Sequence, residues 1–143
     1  MGRRNDYDVR LMDYAASVIG KPFEWAQTNC AALVAAAVDA MADTSLFIDS
    51  ICARCTSTAR GLALSRRQET RKVLLAAGLV PVKSGFEQVG DIIVIFDGTW
   101  ECSHIILGTN CLSSSLETGV ALFSTAVVLK QCAEHNGEVF RCL

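Results

Sequence analysis

The feature that most constrains the fold of this chain is residues 30–42, CAALVAAAVDAMA, in which Asp39 is the single charged side chain. A helix that is apolar on almost every side has to be covered on almost every side, because only packing removes apolar surface from water. Thr28 and Asn29 stand just before this run, and both are residue types that cap helix N-termini. The sequence therefore predicts a buried helix that begins at Cys30.

Two further segments have helical patterns. Residues 7–19 carry apolar side chains at helical spacing, and Gly20 ends the pattern. The apolar stripe consists of Val9, Met12, Ala16 and Ile19. Ser65 and Gln68 form a capping-box pattern in front of another helix that is expected to run to Ala77.

The second half of the chain contains short runs of β-branched and aromatic residues that are typical of strands. These runs are residues 92–96, 102–107, 120–123, 126–129 and 138–142. Asp97-Gly98 is a tight-turn pair between the first two runs. Helices first and antiparallel strands afterwards predict an α+β fold, with N-terminal helices packed on a C-terminal antiparallel sheet. The length fits one domain over residues 1–143.

Charge and hydropathy exclude several classes of function. A net charge of −2 gives no reason to expect binding to nucleic acid. No run approaches the roughly 18 apolar residues that span a bilayer, so membrane insertion is not expected. The opening MGRRNDYDVR lacks the apolar region of a secretory signal, which predicts synthesis in a cytoplasm without a signal peptide.

The chain contains seven cysteines, and Cys52-x-x-Cys55 invites a metal-site interpretation. A zinc or iron–sulfur site needs two more ligands at recognisable spacing, and the remaining cysteines offer no second pair of this kind. We therefore expect no metal and no cofactor. Buried thiols that pack as small hydrophobic side chains are the expected role of most cysteines.

Cys30 is the candidate nucleophile because it stands in the first turn of the predicted buried helix. The unpaired amides and the dipole at a helix N-terminus lower the pKa of a thiol and can bind an oxyanion. His104 is the candidate base, since a strand packed on that helix would present it to Cys30. Strand alternation puts Cys102, His104 and Ile106 on one face and Ser103 and Ile105 on the other. A packed core thiol and a structural histidine are the competing interpretation; His135 is expected to be a solvated loop residue.

The segment GKPFEWAQTNCAALV resembles the nucleophile motif of the NlpC-type cell-wall peptidases, which are papain-like cysteine hydrolases. The matching positions are Gly20, Pro22, Phe23, Trp25, Cys30, Leu33 and Val34. A second block of that family, Gly-Asp with a strand and then Ser-His with a strand ending in Gly, is similar to Gly90-Asp91 and to SHIILG from Ser103. The chain looks most like the small members of the family encoded in the tail modules of tailed phages.

This resemblance implies a papain-like fold and a peptidase or amidase that cleaves peptidoglycan stem peptides. Cys30 would attack the amide, and His104 would take the thiol proton. The third residue, which orients the imidazole, would be Ser113 or Ser114, or Asn110. Phe23, Trp25, Asn29 and Ser103 would contact substrate, although Phe23 and Trp25 are equally suited to packing against the first helix. The implied location is a virion tail that acts in the host envelope, after synthesis in the bacterial cytoplasm, with other phage tail proteins as partners.

Several positions depart from the family pattern. Asn29 stands where the family usually has Asp, and Ala26 and Gln27 replace the glycines that follow the motif's Trp. A serine hydroxyl also orients an imidazole less firmly than an amide does. These departures favour an alternative function, namely a structural tail-tip or tail-assembly subunit that keeps the fold while its hydrolase activity is weak or lost.

Overall fold

The computed structural model describes residues 2–45 and 57–143. The helices in these ranges are α1 (Tyr7–Val18), α2 (Cys30–Ala42), α3 (Thr58–Arg66), α4 (Glu69–Ala76) and α5 (Thr125–Glu134). The strands are β1 (Val80–Pro81), β2 (Ile92–Phe96), β3 (Glu101–Ile106), β4 (Asn110–Ser115), β5 (Gly119–Ser124) and β6 (Glu138–Arg141). Cys52 and Cys55 lie outside the described residues. None of the described helices has the length and apolar character needed to cross a membrane.

The strands form one sheet in the order β1-β6-β2-β3-β4-β5, and every neighbouring pair is antiparallel. Helices α1 and α2 pack on one face, and α5 packs on the other. The predicted α+β class, with N-terminal helices on an antiparallel sheet, is confirmed. We refer to the two sides of the sheet as the α2 face and the α5 face.

Alternate residues of the central strands supply two separate cores. Ile92, Ile105 and Leu112 pack with α1 and α2, and their chain neighbours Ile93, Ile106 and Cys111 pack with α5. Since side chains alternate along a strand, a sheet covered on both faces buries almost every residue of its middle strands. The continuous apolar run IIVIF of β2 has this origin.

A buried ion pair joins the start of β2 to β6. Asp91 is completely buried, and its carboxylate accepts from Arg141 Nε at 2.9 Å and from Arg141 Nη2 at 2.8 Å. The amide of Gln88 donates to the same carboxylate at 2.9 Å. Gly90, with φ of +89°, approaches Met41 so closely that a Cβ would lie 3.0 Å from its sulfur. The Gly-Asp pair therefore has a packing role and an electrostatic role in this fold.

The predicted apolar stripe of α1 has the wrong phase. Leu11, Ala15 and Val18 are the buried residues of this helix. Val9 and Ile19 of the predicted stripe are 57% and 45% exposed. Two apolar rows run along this helix, and periodicity alone gave no reason to prefer the row that packs on α2.

The predicted capping box at Ser65 and Gln68 is also wrong. Ser65 lies inside α3, and Gln68 adopts a left-handed conformation, with φ of +54°, between α3 and α4. The first turn of α4 is instead capped by a distant side chain. Glu101 of β3 accepts from the amides of Thr70 at 2.9 Å and Arg71 at 3.1 Å.

Residues 126–129, which were predicted to form a strand, belong to helix α5. Ser124 caps this helix by accepting from the amide of Val127, and Val128 and Cys132, four residues apart, are buried against the sheet. Packing of this stripe outweighs the strand preference of two adjacent valines. Strand β4 was not predicted, because NCLSSS is rich in serine; its Cys111 and Leu112 nevertheless enter the two cores.

The Asp91–Arg141 pair leads to a stability prediction. Arg141→Met should lower the free energy of unfolding by about 3–5 kcal/mol, because it leaves a buried carboxylate without its partner. The matched control is Arg71→Met, which breaks the half-exposed Arg71–Glu138 pair and should cost at most about 1 kcal/mol. Urea denaturation of both variants measures the difference. Equal losses would contradict the structural role given to Asp91.

Candidate functional site

Cys30, the first residue of α2, is half-buried at the wall of a cavity of about 280 Å³. We call this cavity the Cys30 cleft. Its lining includes Phe23, Trp25, Leu64, Trp100, Ser114 and Leu116. These residues come from the loop before α2, from α3, and from the ends of β3 and β4, so the cleft lies where the helical half of the chain meets the sheet.

Trp25 forms one wall of the cleft and is fixed there from two sides. Its indole Nε1 donates to Thr58 Oγ1 at 2.9 Å, and its ring meets Phe23 edge to face with the centroids 4.8 Å apart. Its six-membered ring lies against Gly61 of α3, where a Cβ would come within 2.3 Å of the indole. Phe23 and Trp25 were expected either to line a groove beside Cys30 or to pack on α1. The structure favours the first interpretation, because both residues line the cleft.

The environment of Cys30 raises the pKa of its thiol. Burial has the largest effect, and the negative charge of Glu101 acts in the same direction. The polar groups of Ser103 and the amide of Ala31 lower the pKa, but burial outweighs them. The helix N-terminus thus acts on the thiol as the sequence suggested, yet the net direction is opposite to the expected activation.

His104 lies on the α5 face of β3, on the far side of the sheet from Cys30. Its register partner Ile93 belongs to the core beneath α5, and its ring meets Phe123 of that core edge to face at 5.9 Å. Ser103, which interacts with Cys30, points instead to the α2 face, as does Ile105 of the same strand. The strand alternation was predicted correctly, but the face that meets α2 was assigned wrongly, so the structure does not bring Cys30 and His104 together.

His104 is also poorly suited to proton transfer where it stands. Burial lowers the pKa of its imidazole to about 4. Its Nδ1 is buried and has no hydrogen-bond partner among the described residues. An orienting group for this imidazole, which the resemblance implies, is therefore missing from the described part of the chain.

The two candidate serines are divided between the faces of the sheet. Ser114 pairs with Val120 of the α2-face core and lines the Cys30 cleft. Ser113 is on the α5 face, where its hydroxyl donates to the carbonyl of Ser103 at 2.7 Å. Asn110 is exposed at the start of β4. The structure thus brings together Cys30, Ser103 and Ser114, with Phe23, Trp25 and Asn29 beside them, and it separates His104 and Ser113 from this group.

Acidic residues at the cleft were missed by the sequence analysis. Glu101 is buried, and burial raises the pKa of its carboxyl. The hydrogen bonds that the carboxylate accepts from the amides of Arg71 and Thr70 lower the pKa, but burial has the larger effect. Asp97, in the turn before β3, is exposed and also lines the cleft. The sequence feature that could have indicated Glu101 is an acidic residue directly before a predicted buried strand. His135 is exposed, as predicted.

These features define an α+β domain in which an antiparallel sheet separates a cysteine-lined cleft from the histidine of its central strand. Residues 2–131 match the domain family DUF6950, described as a domain of unknown function. The chain belongs to this family. No curated protein matches the sequence.

The buried imidazole predicts a specific loss of stability in acid. Below the unfolded-state pKa of about 6.5, the unfolded chain takes up a proton at His104 that the folded chain binds only near pH 4. This group therefore stabilises the fold fully above about pH 6.5, and that contribution, at most about 3 kcal/mol, is lost as the pH falls through 4.

Urea denaturation between pH 7.5 and 4 measures this effect, with His104→Phe as the test variant. The variant should lose stability less steeply than the unmodified chain, since phenylalanine has no proton to bind. The control is His135→Gln, which removes an exposed imidazole and should leave the slope unchanged. Parallel pH curves for His104→Phe and the unmodified chain would show that His104 is not desolvated.

Proposed function

We propose that this chain is a non-hydrolysing protein of the papain-like, NlpC-type class, which serves as a tail-tip or tail-assembly subunit of a phage. The observation that carries this proposal is the position of His104, on the opposite face of the sheet from Cys30. The sequence suggests two functions, peptidase and structural subunit, and the geometry favours the second.

A cysteine hydrolase needs a base within hydrogen-bond reach of its thiol, or reach through one water. Both histidines of the chain are described by the structure, and neither lines the Cys30 cleft. The buried carboxylate of Glu101 acts electrostatically on Cys30, but it already accepts hydrogen bonds from two backbone amides of α4. The surroundings of Cys30 also disfavour its thiolate, which is the reactive form.

The tail assignment rests on the resemblance of the Gly20–Trp25 segment and the Ser103–Gly108 strand to small phage-encoded NlpC-type proteins. A cleft in whose described lining no histidine accompanies the cysteine suits a domain that acts through its shape and its contacts. Mass spectrometry of purified virions of the phage that encodes the chain tests this part separately. Absence of the chain from the virions would remove the tail role, whatever the outcome for catalysis.

The first prediction from this proposal concerns the reactivity of Cys30. Near pH 6 an ordinary thiol with a pKa of about 8.5 is about 0.3% ionised, and burial should make the ionised fraction of Cys30 smaller still. We therefore expect iodoacetamide to alkylate Cys30 more slowly than free cysteine. Mass spectrometry of the digested protein follows Cys30 separately, and free cysteine alkylated under the same conditions serves as the reference. Alkylation of Cys30 much faster than free cysteine would indicate an activated nucleophile and would contradict the proposal.

The second prediction concerns peptidoglycan. Purified sacculi and isolated stem peptides, incubated with the unmodified protein or with Cys30→Ala, should release the same background amount of product. A release that depends on Cys30 would establish the peptidase function instead. A melting curve of Cys30→Ala serves as the control, because it shows that both samples are folded.

A further inference from the structure

The Cys30 cleft has the form of a small-ligand site. Its volume of about 280 Å³ is close to the lower end of the range for ligand-binding cavities, which begins at about 300 Å³. Three aromatic side chains line it, namely Phe23 and Trp25 from the loop before α2 and Trp100 from the turn before β3. Trp25 is held by its hydrogen bond to Thr58 and by contact with Gly61, so this wall is already formed without a ligand. The shape favours a ligand with a compact aromatic or branched alkyl group.

The charged residues in the described lining of the cleft are all acidic. The charged side chains among its described lining residues are Glu69, Asp97 and Glu101, with no lysine, arginine or histidine among them. The carboxylate of Glu101 is engaged by the two amides of α4. Glu69 lies 3.9 Å from the ammonium of Lys72. Asp97 is therefore the carboxylate best placed to receive a ligand.

Asp97 is held as a fixed negative charge at the mouth of the cleft. Its Oδ1 accepts from the amides of Thr99 at 2.9 Å and Trp100 at 2.8 Å, and these bonds lower the pKa of the carboxyl. The other oxygen, Oδ2, makes no hydrogen bond within the described part of the chain. A carboxylate in a cleft with aromatic walls suits an ammonium group, since aromatic rings and a negative charge both attract a cation.

We propose that the Cys30 cleft binds a primary organic ammonium ion that carries an aryl or branched alkyl group. The apolar group lies between Phe23, Trp25 and Trp100, and the ammonium group donates to Asp97 at the mouth. An organic anion of the same shape is disfavoured, because the charged residues in the described lining are acidic. This assignment does not depend on whether Cys30 hydrolyses anything, so its failure and that of the proposed function are separate results.

Intrinsic fluorescence provides a direct test, because the chain has two tryptophans and both line the cleft. The full chain is titrated with 3-phenylpropylammonium and with 3-phenylpropionate, which share a carbon skeleton and differ in charge. We expect a saturable change with the ammonium ion, and an affinity at least roughly tenfold higher than that of the carboxylate. No saturable change with the ammonium ion, or equal affinity for the two ions, would overturn the proposal.

Asp97→Asn tests the role given to the carboxylate. Asparagine keeps an Oδ1 acceptor for the amides of Thr99 and Trp100 while it removes the negative charge. In this variant the preference for the ammonium ion should fall to roughly threefold or less. The control is Asp13→Asn on the exposed side of α1, which makes the same charge change away from the cleft and should leave the preference intact. An unchanged preference in Asp97→Asn would overturn the placement of the ammonium group at Asp97.

Discussion

The burial of the sheet on both faces is the constraint on which the rest of this structure depends. Helix α2 is apolar almost all round and covers one face, while α5 covers the other. In such a sheet each residue of a central strand belongs to one core or the other, and its chain neighbour belongs to the opposite one. Whether a strand residue faces α2 or α5 therefore depends on its parity, that is, on whether it stands at an odd or an even position of the strand. In β3, this parity places Ser103 beside Cys30 and His104 on the opposite face, beside Phe123.

This parity also explains why the thiol at the start of α2 lacks the surroundings of a nucleophile. A helix N-terminus favours a thiolate only where its amides stabilise the negative charge by more free energy than is lost when the thiolate is removed from water. Cys30 is packed against the buried start of β3, where Glu101 adds a negative charge. The surroundings that stabilise this corner of the fold therefore keep the thiol protonated. The structure shows at this corner a cleft with aromatic walls and acidic residues in its described lining.

Much of the fold was predictable from local pattern, and most of the site was not. Helix α2 begins and ends where its apolar run does, and β2, β3, β5 and β6 lie where the β-branched and aromatic runs predicted strands. Predictions failed where tertiary contacts decide between local alternatives. The two apolar rows of α1 are equivalent until α2 covers one of them, and Val127-Val128 is helical because its row packs on the sheet. The alternation of β3 was predictable, but the face that meets α2 depends on how the whole sheet sits against the helix.

The contact between Trp25 and Gly61 has a consequence for related sequences. The indole occupies the space where any other residue at position 61 would place its Cβ, so the two positions are sterically coupled. A relative with a larger residue at 61 has to turn or replace the aromatic ring at 25, and its cleft then has a different wall. Residue 61 therefore acts as a sequence marker of cleft geometry. Within DUF6950, a joint change at positions 25 and 61 would distinguish members with a remodelled cleft from members that share the cavity described above.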